Sequence, residues 1–409
     1  MRRLAPLAVA AVTLLGLGAC APEPLGVHVS SGGSRDSGAT APTSTSGGAA
    51  TAPSATPAPA STPSVPACVA LARSLTPAER VGQLFMMGVD TGGLDETTRA
   101  AITNNSVGSV VLLGNSGEGR SAIRSLTAEL GSLGTAELPL LVAADQEGGA
   151  VQRLKGEGFG TIPPAREQGQ WDTQELTARA AEWGEALKRA GVDYDLAPVA
   201  DVVPESKRAT NAPIGKLKRD FGADPAKVAA SVVAVVDGLR ESGVVAAAKH
   251  FPGLGEVTNN TDFGAALDTV TTADSPNLEP FRAAISSGIS SIMVSSAVFE
   301  KIDPDNEGVF SSAVITDLLR GQLGFDGVVI ADDLGAAKAV SDVTPANRAL
   351  RFFEAGGDLA INADPRIMAD MTDATLQRAE ADEAFAARVE QSAARVLQLK
   401  QDAGILTCG

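Results

Sequence analysis

Short apolar runs alternate with longer amphipathic stretches along most of this chain, and that alternation limits the folds it can adopt. The apolar runs predict eight β-strands, at residues 83–89, 108–113, 140–144, 192–199, 244–249, 291–298, 327–331 and 358–362. Segments with helical spacing separate them, among them 173–190, 225–242, 311–323 and a last helix, at 384–402, expected to pack near the start of the domain. Repeated strand–helix alternation is typical of a parallel sheet. Eight units within residues 67–409 favour an α/β fold of the closed (β/α)8 TIM-barrel type over an open doubly wound sheet.

The charge balance and the residue counts exclude several classes of protein. The 409 residues include 33 lysines and arginines against 49 aspartates and glutamates, a net charge of −16. Because binding through counterion release needs a basic surface, we expect no nucleic-acid partner. Two histidines and three cysteines are too few for a His-rich zinc site or a four-thiolate cluster, so we also expect no metal site.

The first 20 residues have the pattern of an export signal. Arg2 and Arg3 precede an apolar run at 4–17, and small residues lead from that run to Cys20. The pattern resembles a bacterial lipoprotein signal, in which Cys20 becomes the lipidated first residue of the mature chain. The alternative is an ordinary secretory peptide with a chance cysteine. We expect an exported protein, anchored through Cys20 to the outer face of the cytoplasmic membrane.

Residues 21–66 have the composition of a disordered tether. Of these 46 residues, 38 are Ala, Gly, Ser, Thr or Pro, which cannot bury enough apolar surface to offset the entropy cost of ordering. A cleaved pro-segment is the alternative. The folded domain is therefore expected at 67–409, with Cys68 and Cys408 near its two ends. In an exported protein we expect these cysteines to form a disulfide, with two buried free thiols as the alternative.

Polar residues gather where the predicted strands end, which is where barrel enzymes keep their active sites. One aspartate at a strand end is more often a helix cap than a catalyst, but several on one rim favour a pocket for a polar ligand. The residues are DQEGG at 145–149 after the third strand, Asp201 after the fourth, Lys249 and His250 at the fifth, and Asp332 and Asp333 after the seventh.

Specific motifs accompany these strand ends. They are LTPAERVGQLF at 75–85, DQEGGAVQR at 145–153, APVADV at 197–202, RDFG at 219–222, KHFPG at 249–253 and IADDL at 330–334. In order and spacing they resemble the motifs of glycoside hydrolase family 3, and they cover nearly the whole domain. The chain is most similar to the single-domain β-N-acetylglucosaminidase (β-hexosaminidase) branch, which acts on cell-wall sugars. The resemblance implies a carbohydrate substrate or a cell-wall fragment as the ligand.

The resemblance also implies roles for individual residues. Retaining glycosidases need a carboxylate beside the anomeric carbon. The matching residue is Asp332, expected to be the nucleophile, while Asp333 should point away and cap the next helix or brace a neighbour. Five further residues match sugar-binding positions of the family. For each of them taken alone, the alternative role is a structural ion pair at the barrel rim. The residues that match the family's sugar-binding positions are Asp145, Arg153, Arg219, Lys249 and His250.

The loop that follows KHFPG departs from the family pattern. In the glucosaminidase branch this loop carries an Asp and a His that act together as general acid and base, whereas Asn260 and Asp262 stand in those positions here. Ser296 stands where the family often has another His. A carboxyl group can act as the acid if burial or a nearby carboxylate raises its pKa. The candidates are Asp262, beside the apolar Phe263, and Glu256.

Three functions are compatible with these residues. The first is retaining hydrolysis of β-glycosidic bonds, with terminal N-acetylglucosamine of cell-wall glycans as the expected substrate, Asp332 as nucleophile and a carboxyl group as acid. The second is a tethered, catalytically impaired protein that binds glycan or peptidoglycan fragments. The third, a phosphate- or flavin-dependent barrel, lacks a Gly-rich phosphate cradle. We favour the first, without a cofactor and in a monomer.

Overall fold

Eight parallel strands form a ring in the computed structural model of the chain, which describes residues 67–409. The strands are β1 (Phe85–Asp90), β2 (Ser109–Leu113), β3 (Leu141–Ala144), β4 (Tyr194–Asp195), β5 (Val245–Phe251), β6 (Ser291–Val294), β7 (Val328–Ala331) and β8 (Ala360–Asn362). From β1 to β7 each strand pairs with the next, and β8 pairs with β1. A bridge between Ile330 and Leu359 joins β7 to the start of β8. The predicted (β/α)8 barrel and its eight strands are confirmed.

Two strands are shorter than predicted by four residues or more. β4 contains only Tyr194–Asp195, and beyond it the pairing with β5 continues only as an isolated bridge between Val199 and Lys249. β6 ends at Val294, and Val298–Phe299 pairs instead in a small sheet with Leu267–Asp268 and Asp303–Glu307. This small sheet lies in the connections that follow the barrel strands.

Helices alternate with the strands as the sequence predicts. In residues 67–409 they are α1 (Ala67–Ser74), α2 (Pro77–Gly82), α3 (Glu96–Asn104), α4 (Gly119–Gly131), α5 (Ala165–Gln168), α6 (Thr173–Arg189), α7 (Pro225–Glu241), α8 (Glu279–Ser286), α9 (Pro345–Ala355), α10 (Met368–Ala381), α11 (Glu383–Asp402) and a π-helix at Ala313–Gln322. The predicted helices at 173–190, 225–242 and 384–402 agree closely with α6, α7 and α11. Among these helices, none combines the length and apolar character needed to cross a bilayer. The predicted signal peptide with Cys20 and the predicted tether lie at 1–66, outside the described residues.

The carboxyl-terminal helix closes the amino-terminal end of the barrel. The helix α11 places Val396 and Leu399 against the apolar side chains that fill the barrel interior. Lys400 of the same helix is fully buried, and its Nζ donates to Gln83 Oε1 at 2.6 Å and to the Pro139 carbonyl at 2.8 Å. Burial lowers the pKa of Lys400 to about 7. With this end filled, the opposite end of the barrel is the one available to a ligand.

The two ends of the domain meet on one side of the barrel. Cys68 in α1 and Cys408, which follows α11, form a disulfide across a sequence separation of 340 residues. The helices α1 and α11 also pack against each other. The last helix therefore lies beside the start of the domain, as expected from the sequence.

Replacing Cys68 and Cys408 with alanine should lower the free energy of unfolding by about 2–5 kcal/mol, because the bridge limits the unfolded chain across nearly the whole domain. Urea titration of the oxidised protein and of the double variant measures the difference. Reductant should destabilise the wild-type protein and leave the double variant unchanged. Equal stability of the two proteins under oxidising conditions would mean that packing of α1 on α11 suffices to hold the ends.

Candidate active site

A cavity of about 440 Å³ opens at the carboxyl-terminal end of the barrel. That volume is in the range of sites that bind small molecules. Parallel strands end on the same rim, so residues far apart in the chain meet there. The structure brings together every residue predicted to bind or catalyse, although their roles stay predictions. These lining residues are Asp145, Arg153, Arg219, Lys249, His250, Asp262 and Asp332.

A network of four charged side chains lies at this cavity. Lys249 Nζ contacts Asp145 Oδ1 at 2.5 Å and Glu147 Oε1 at 2.7 Å. Arg219 donates to both oxygens of Glu147, from Nη2 at 2.7 Å and from Nε at 2.8 Å. Burial alone would raise the pKa of Glu147, but Arg219 and Lys249 hold it well below its usual range. Burial alone would lower the pKa of Lys249, but the two carboxylates raise it.

The hairpin after β3 supplies both carboxylates of this network. Its first strand, Gln146–Gly148, turns back through Gly148 and Gly149, whose φ angles of 105° and 56° disfavour residues with a side chain. Asp145 and Glu147 lie on the same side, since both contact Lys249 Nζ. Asp145 was predicted from the sequence and Glu147 was missed. The spacing of two residues between them was the sequence signal from which Glu147 could have been predicted as a site residue.

A register shift in β5 brings two consecutive side chains to the cavity. The ladder between β5 and β6 is irregular between Lys249 and Phe251. Neighbouring residues of a regular strand point to opposite faces, whereas an irregularity of this kind re-aims a side chain. Lys249 and His250 can therefore both line the cavity.

His250 is oriented by Asp201, a residue that was placed at the rim from the sequence but given no role. The Nδ1 atom of His250 lies 2.8 Å from Asp201 Oδ2. Asp201 Oδ1 also accepts from the backbone N–H of His250 at 3.2 Å and of Leu254 at 2.7 Å. Because a carboxylate only accepts, a neutral imidazole here carries its hydrogen on Nδ1. Nε2 is then the acceptor of the ring, and Arg219 Nη2 lies 3.5 Å from it.

Arg153 adds an unused hydrogen-bond donor to the cavity. Its backbone N–H donates to the Asp145 carbonyl at 3.2 Å. Its side-chain Nε is buried and has no hydrogen-bond partner within the described part of the chain. Because a guanidinium can only donate, this side chain can bind a hydroxyl or carbonyl oxygen of a ligand.

Asp332 follows β7 directly and is half-buried. Its Oδ1 accepts from the backbone N–H of Asp333 at 3.0 Å, and its own N–H donates to the Val294 carbonyl of β6 at 3.0 Å. No lysine, arginine or histidine of residues 67–409 forms an ion pair with it. Burial raises the pKa of Asp332, the His250 ring acts in the opposite direction, and the Asp262 carboxylate raises it further.

Asp333 braces its neighbours, as expected, but it also lines the cavity, so the expectation that it points away is wrong. Its Oδ1 accepts from the backbone N–H of Gly335 at 2.8 Å and of Ala363 at 3.0 Å. Its Oδ2 accepts from the backbone N–H of Ala336 at 2.9 Å. These bonds fix the turn after β7 to the segment after β8, and they occupy the carboxylate that is next to Asp332 in sequence.

Asp262 is exposed at the tip of the loop after β5. Its backbone N–H donates to Asn260 Oδ1 at 3.0 Å, and the intervening Thr261 is buried. The loop is tied to the chain after β7, because Lys338 N–H donates to the Asp262 carbonyl at 3.2 Å and Ala339 N–H to the Thr261 carbonyl at 3.1 Å. Main-chain hydrogen bonds thus hold Asp262 on the cavity wall.

Glu256, the other candidate for the acid, is not placed for it. Glu256 pairs with Lys207 Nζ at 2.6 Å and does not line the cavity. Ser296 is buried and also lies outside the cavity lining. Of the two candidates for the acid, only Asp262 lines the cavity that contains Asp332. Within residues 67–409, no group of three or more His, Cys, Asp or Glu side chains could hold a metal ion.

Asp195 in β4 lies behind the charged network and was not predicted. It is buried and accepts one hydrogen bond from Gln146 N–H at 3.0 Å. Burial raises its pKa to about 7, with Asp145 and Glu147 adding to the rise. A small cavity of about 20 Å³ separates it from the helix layer.

A barrel with paired carboxyl groups and fixed hydrogen-bonding groups at its carboxyl-terminal mouth has the architecture of a glycoside hydrolase. Residues 76–399 match the glycosyl hydrolase family 3 N-terminal domain. The chain belongs to glycosyl hydrolase family 3, which confirms the resemblance seen in the motifs. A beta-hexosaminidase of Nitrosomonas eutropha is 34% identical over 304 residues, which are 72% of this chain and 84% of that protein.

Solved structures show the same similarity. The beta-N-acetylhexosaminidase of Beutenbergia cavernae is 46% identical, with a TM-score of 0.79 over 80% of this chain and 99% of that chain. A family 3 beta-N-acetylglucosaminidase of a Paenibacillus species is 29% identical, with a TM-score of 0.73 over 81% of this chain and 63% of that chain. LpqI of M. tuberculosis is also 29% identical, with a TM-score of 0.71 over 81% and 96% of the two chains.

Replacing Asp195 with Asn should flatten the dependence of stability on pH. The folded protein keeps this proton up to about pH 7, whereas an unfolded chain loses it near pH 4. Between these values the folded state binds more protons, so the free energy of unfolding falls as pH rises, by at most ~1.4 kcal/mol per pH unit. Urea titrations from pH 4 to 8 measure the slope.

The control for this change is Asp193→Asn. Asp193 is two residues away and pairs with Lys188 at 2.8 Å. Asp193→Asn should therefore keep the fall in the free energy of unfolding with rising pH that is attributed to Asp195. Identical slopes for Asp195→Asn and the wild-type protein would show that Asp195 is ionised across this range in the folded state.

Proposed function

We propose that this glycoside hydrolase removes terminal N-acetylglucosamine from β-linked cell-wall glycans and retains the anomeric configuration. The observation that supports the proposal most is the pairing of Asp332 and Asp262 in one cavity with charged groups that are already fixed by one another. Relatives named beta-hexosaminidase and beta-N-acetylglucosaminidase support the choice of sugar.

Asp332 acts as the nucleophile in the first step. One of its carboxylate oxygens forms a bond to the anomeric carbon, and the bond from that carbon to the glycosidic oxygen breaks. The electron pair of the broken bond stays on the leaving oxygen, which takes a proton from Asp262. The products are a glycosyl ester of Asp332 and a released alcohol.

Water completes the reaction in the second step. Asp262, now a carboxylate, accepts a proton from a water molecule whose oxygen attacks the anomeric carbon. The ester bond breaks and its electron pair returns to Asp332. Two displacements at the same carbon restore its original configuration, and both aspartates regain their starting protonation states.

The charged network supplies the sugar-binding groups. Arg153 Nε has no hydrogen-bond partner in the described part of the chain, and Asp145, Arg219, Lys249 and His250 line the same cavity. Because these side chains are held by each other, little rotamer entropy is lost when a sugar binds. Carboxylate acceptors and cationic donors in one cavity suit the hydroxyl groups of a sugar.

A catalytically impaired glycan-binding protein is the second candidate function. The observation that favours it is the exposure of Asp262, because burial is a common way to keep a carboxylic acid protonated at neutral pH. Such a protein would bind the sugar through the same network without efficient protonation of the leaving group.

Replacing Asp332 or Asp262 with Ala should separate these possibilities. With an activated aryl β-N-acetylglucosaminide, Asp332→Ala should lower kcat by roughly 10³-fold or more. Asp262→Ala should leave an active nucleophile whose glycosyl ester breaks down slowly, since water loses its general base. Added azide needs no base, so it should restore turnover of Asp262→Ala and give the β-glycosyl azide.

Glu256→Gln is the matched control, because Glu256 is a carboxyl on the same loop that lies outside the cavity lining. It should neither lose its activity nor respond to azide. Absence of turnover by the wild-type protein on aryl glycosides, together with measurable sugar binding, would support the binding function instead. An inverted glycosyl azide would contradict the retaining mechanism.

We also propose that the protein is exported and anchored, as a monomer, to the outer face of the cytoplasmic membrane through a lipid on Cys20. The support is the apolar run that ends in small residues and Cys20, followed by the low-complexity segment 21–66. A tether of this composition would keep the barrel away from the bilayer surface and within reach of the cell wall.

Replacing Cys20 with Ala should abolish incorporation of labelled palmitate and move the protein out of the membrane fraction, because the acyl chains supply the membrane affinity. Fractionation and labelling of cells that express each form measure this. Cys68→Ala and Cys408→Ala are cysteine controls that should keep the label. Membrane retention of the Cys20→Ala protein would point to an uncleaved signal instead.

A further inference from the structure

Large apolar side chains are rarely exposed in the described part of this chain, and two of them stand at the cavity. The exposed large hydrophobic residues within 67–409 are Leu217, Phe263, Leu267 and Val270. Phe263 is the most exposed, at 82%, and Leu217 is exposed at 40%. Both line the cavity, whereas Leu267 and Val270 do not. Water-exposed apolar side chains at the mouth of a polar cavity indicate a binding surface.

The loop backbone, not ring packing, holds Phe263 in this position. Its N–H donates to the Asn260 carbonyl at 3.1 Å, and Gly264 N–H donates to the same oxygen at 3.1 Å. The buried Thr261 anchors the loop from below. The ring therefore stays exposed, immediately next to Asp262, the residue proposed to protonate the leaving group.

Leu217 reaches the same cavity from a different loop. It precedes Arg219 by two residues, and the N–H groups of Leu217 and Arg219 both donate to the Ile214 carbonyl, at 3.2 Å and 3.1 Å. Lys218 between them has a φ angle of 56°. This turn places the apolar side chain at the exposed rim while Arg219 lies deeper, bound to Glu147.

We propose that Phe263 and Leu217 form the subsite for the leaving group, and that this subsite selects leaving groups with an apolar face, such as a second pyranose sugar. The proposal rests on the proposed hydrolase function. The acid must contact the glycosidic oxygen, so the group beyond that oxygen must lie next to Asp262, where Phe263 stands. The C–H face of a pyranose ring can cover the exposed Phe263 ring, and Leu217 offers a second apolar contact.

The test compares two substrates that share the sugar but differ in the leaving group. The β-1,4-linked disaccharide of N-acetylglucosamine fills the proposed subsite, whereas N-acetyl-β-glucosaminyl azide leaves it empty. Phe263→Ala should lower the ratio of kcat/KM for the disaccharide to kcat/KM for the azide by about tenfold. Leu217→Ala should lower it by a smaller factor, and Phe263→Trp should keep it.

Leu267→Ala is the matched control, because Leu267 is exposed at 53% and lies outside the cavity lining. Its ratio should equal that of the wild-type protein. An unchanged ratio in Phe263→Ala, or an equal fall in Leu267→Ala, would overturn the subsite.

The subsite can be tested separately if the proposed hydrolase function fails. If the wild-type protein cleaves neither substrate, calorimetric titration with the disaccharide and with free N-acetylglucosamine tests the subsite alone. The subsite then predicts tighter binding of the disaccharide and loss of that difference in Phe263→Ala. Equal affinity for the two sugars in the wild-type protein would overturn it.

Discussion

The candidate site depends on one buried electrostatic arrangement, the contacts of Lys249 with Asp145 and Glu147 and of Glu147 with Arg219. Each charge in it is compensated by another, which is the condition under which buried charges are tolerated. Removing one partner leaves the rest uncompensated, at a typical cost of several kcal/mol. The network joins the hairpin after β3, the loop after β4 and β5. It therefore fixes three parts of the rim relative to one another.

This arrangement also distinguishes Asp332 from the four network residues, because they form ion pairs with one another and Asp332 forms none in residues 67–409. Lys249 and Arg219 are engaged by Asp145 and Glu147, Asp201 holds His250, and Asp332 has no ion-pair partner within the described residues. A carboxylate that is not neutralised by a fixed cation keeps its negative charge for a positively charged transition state. The raised pKa of Asp332 is the electrostatic cost of that position.

The fold was predictable from the sequence because each barrel strand leaves a local signature of length and apolar character. Asp145 and Lys249 were predictable as site residues because both lie at strand ends inside motifs. The pairing of Glu147 with Arg219, 72 residues away, and of His250 with Asp201, 49 residues away, was not predictable. These contacts depend on side-chain direction at a hairpin and at a register shift, and neither has a local signature.

Asp262 stands where the family has a histidine as the acid. Whether it can replace that histidine depends on the main-chain hydrogen bonds that position its loop. The loop that carries Asp262 donates nothing to the network; it is held by N–H groups of Lys338 and Ala339, on the same chain segment that follows Asp332. The relative position of the two carboxyl groups therefore depends on backbone geometry rather than on side-chain packing. In the free enzyme, repulsion by the Asp262 carboxylate helps to raise the pKa of Asp332. In the proposed mechanism, formation of the ester removes the charge of Asp332, and with it this repulsion, before water is activated.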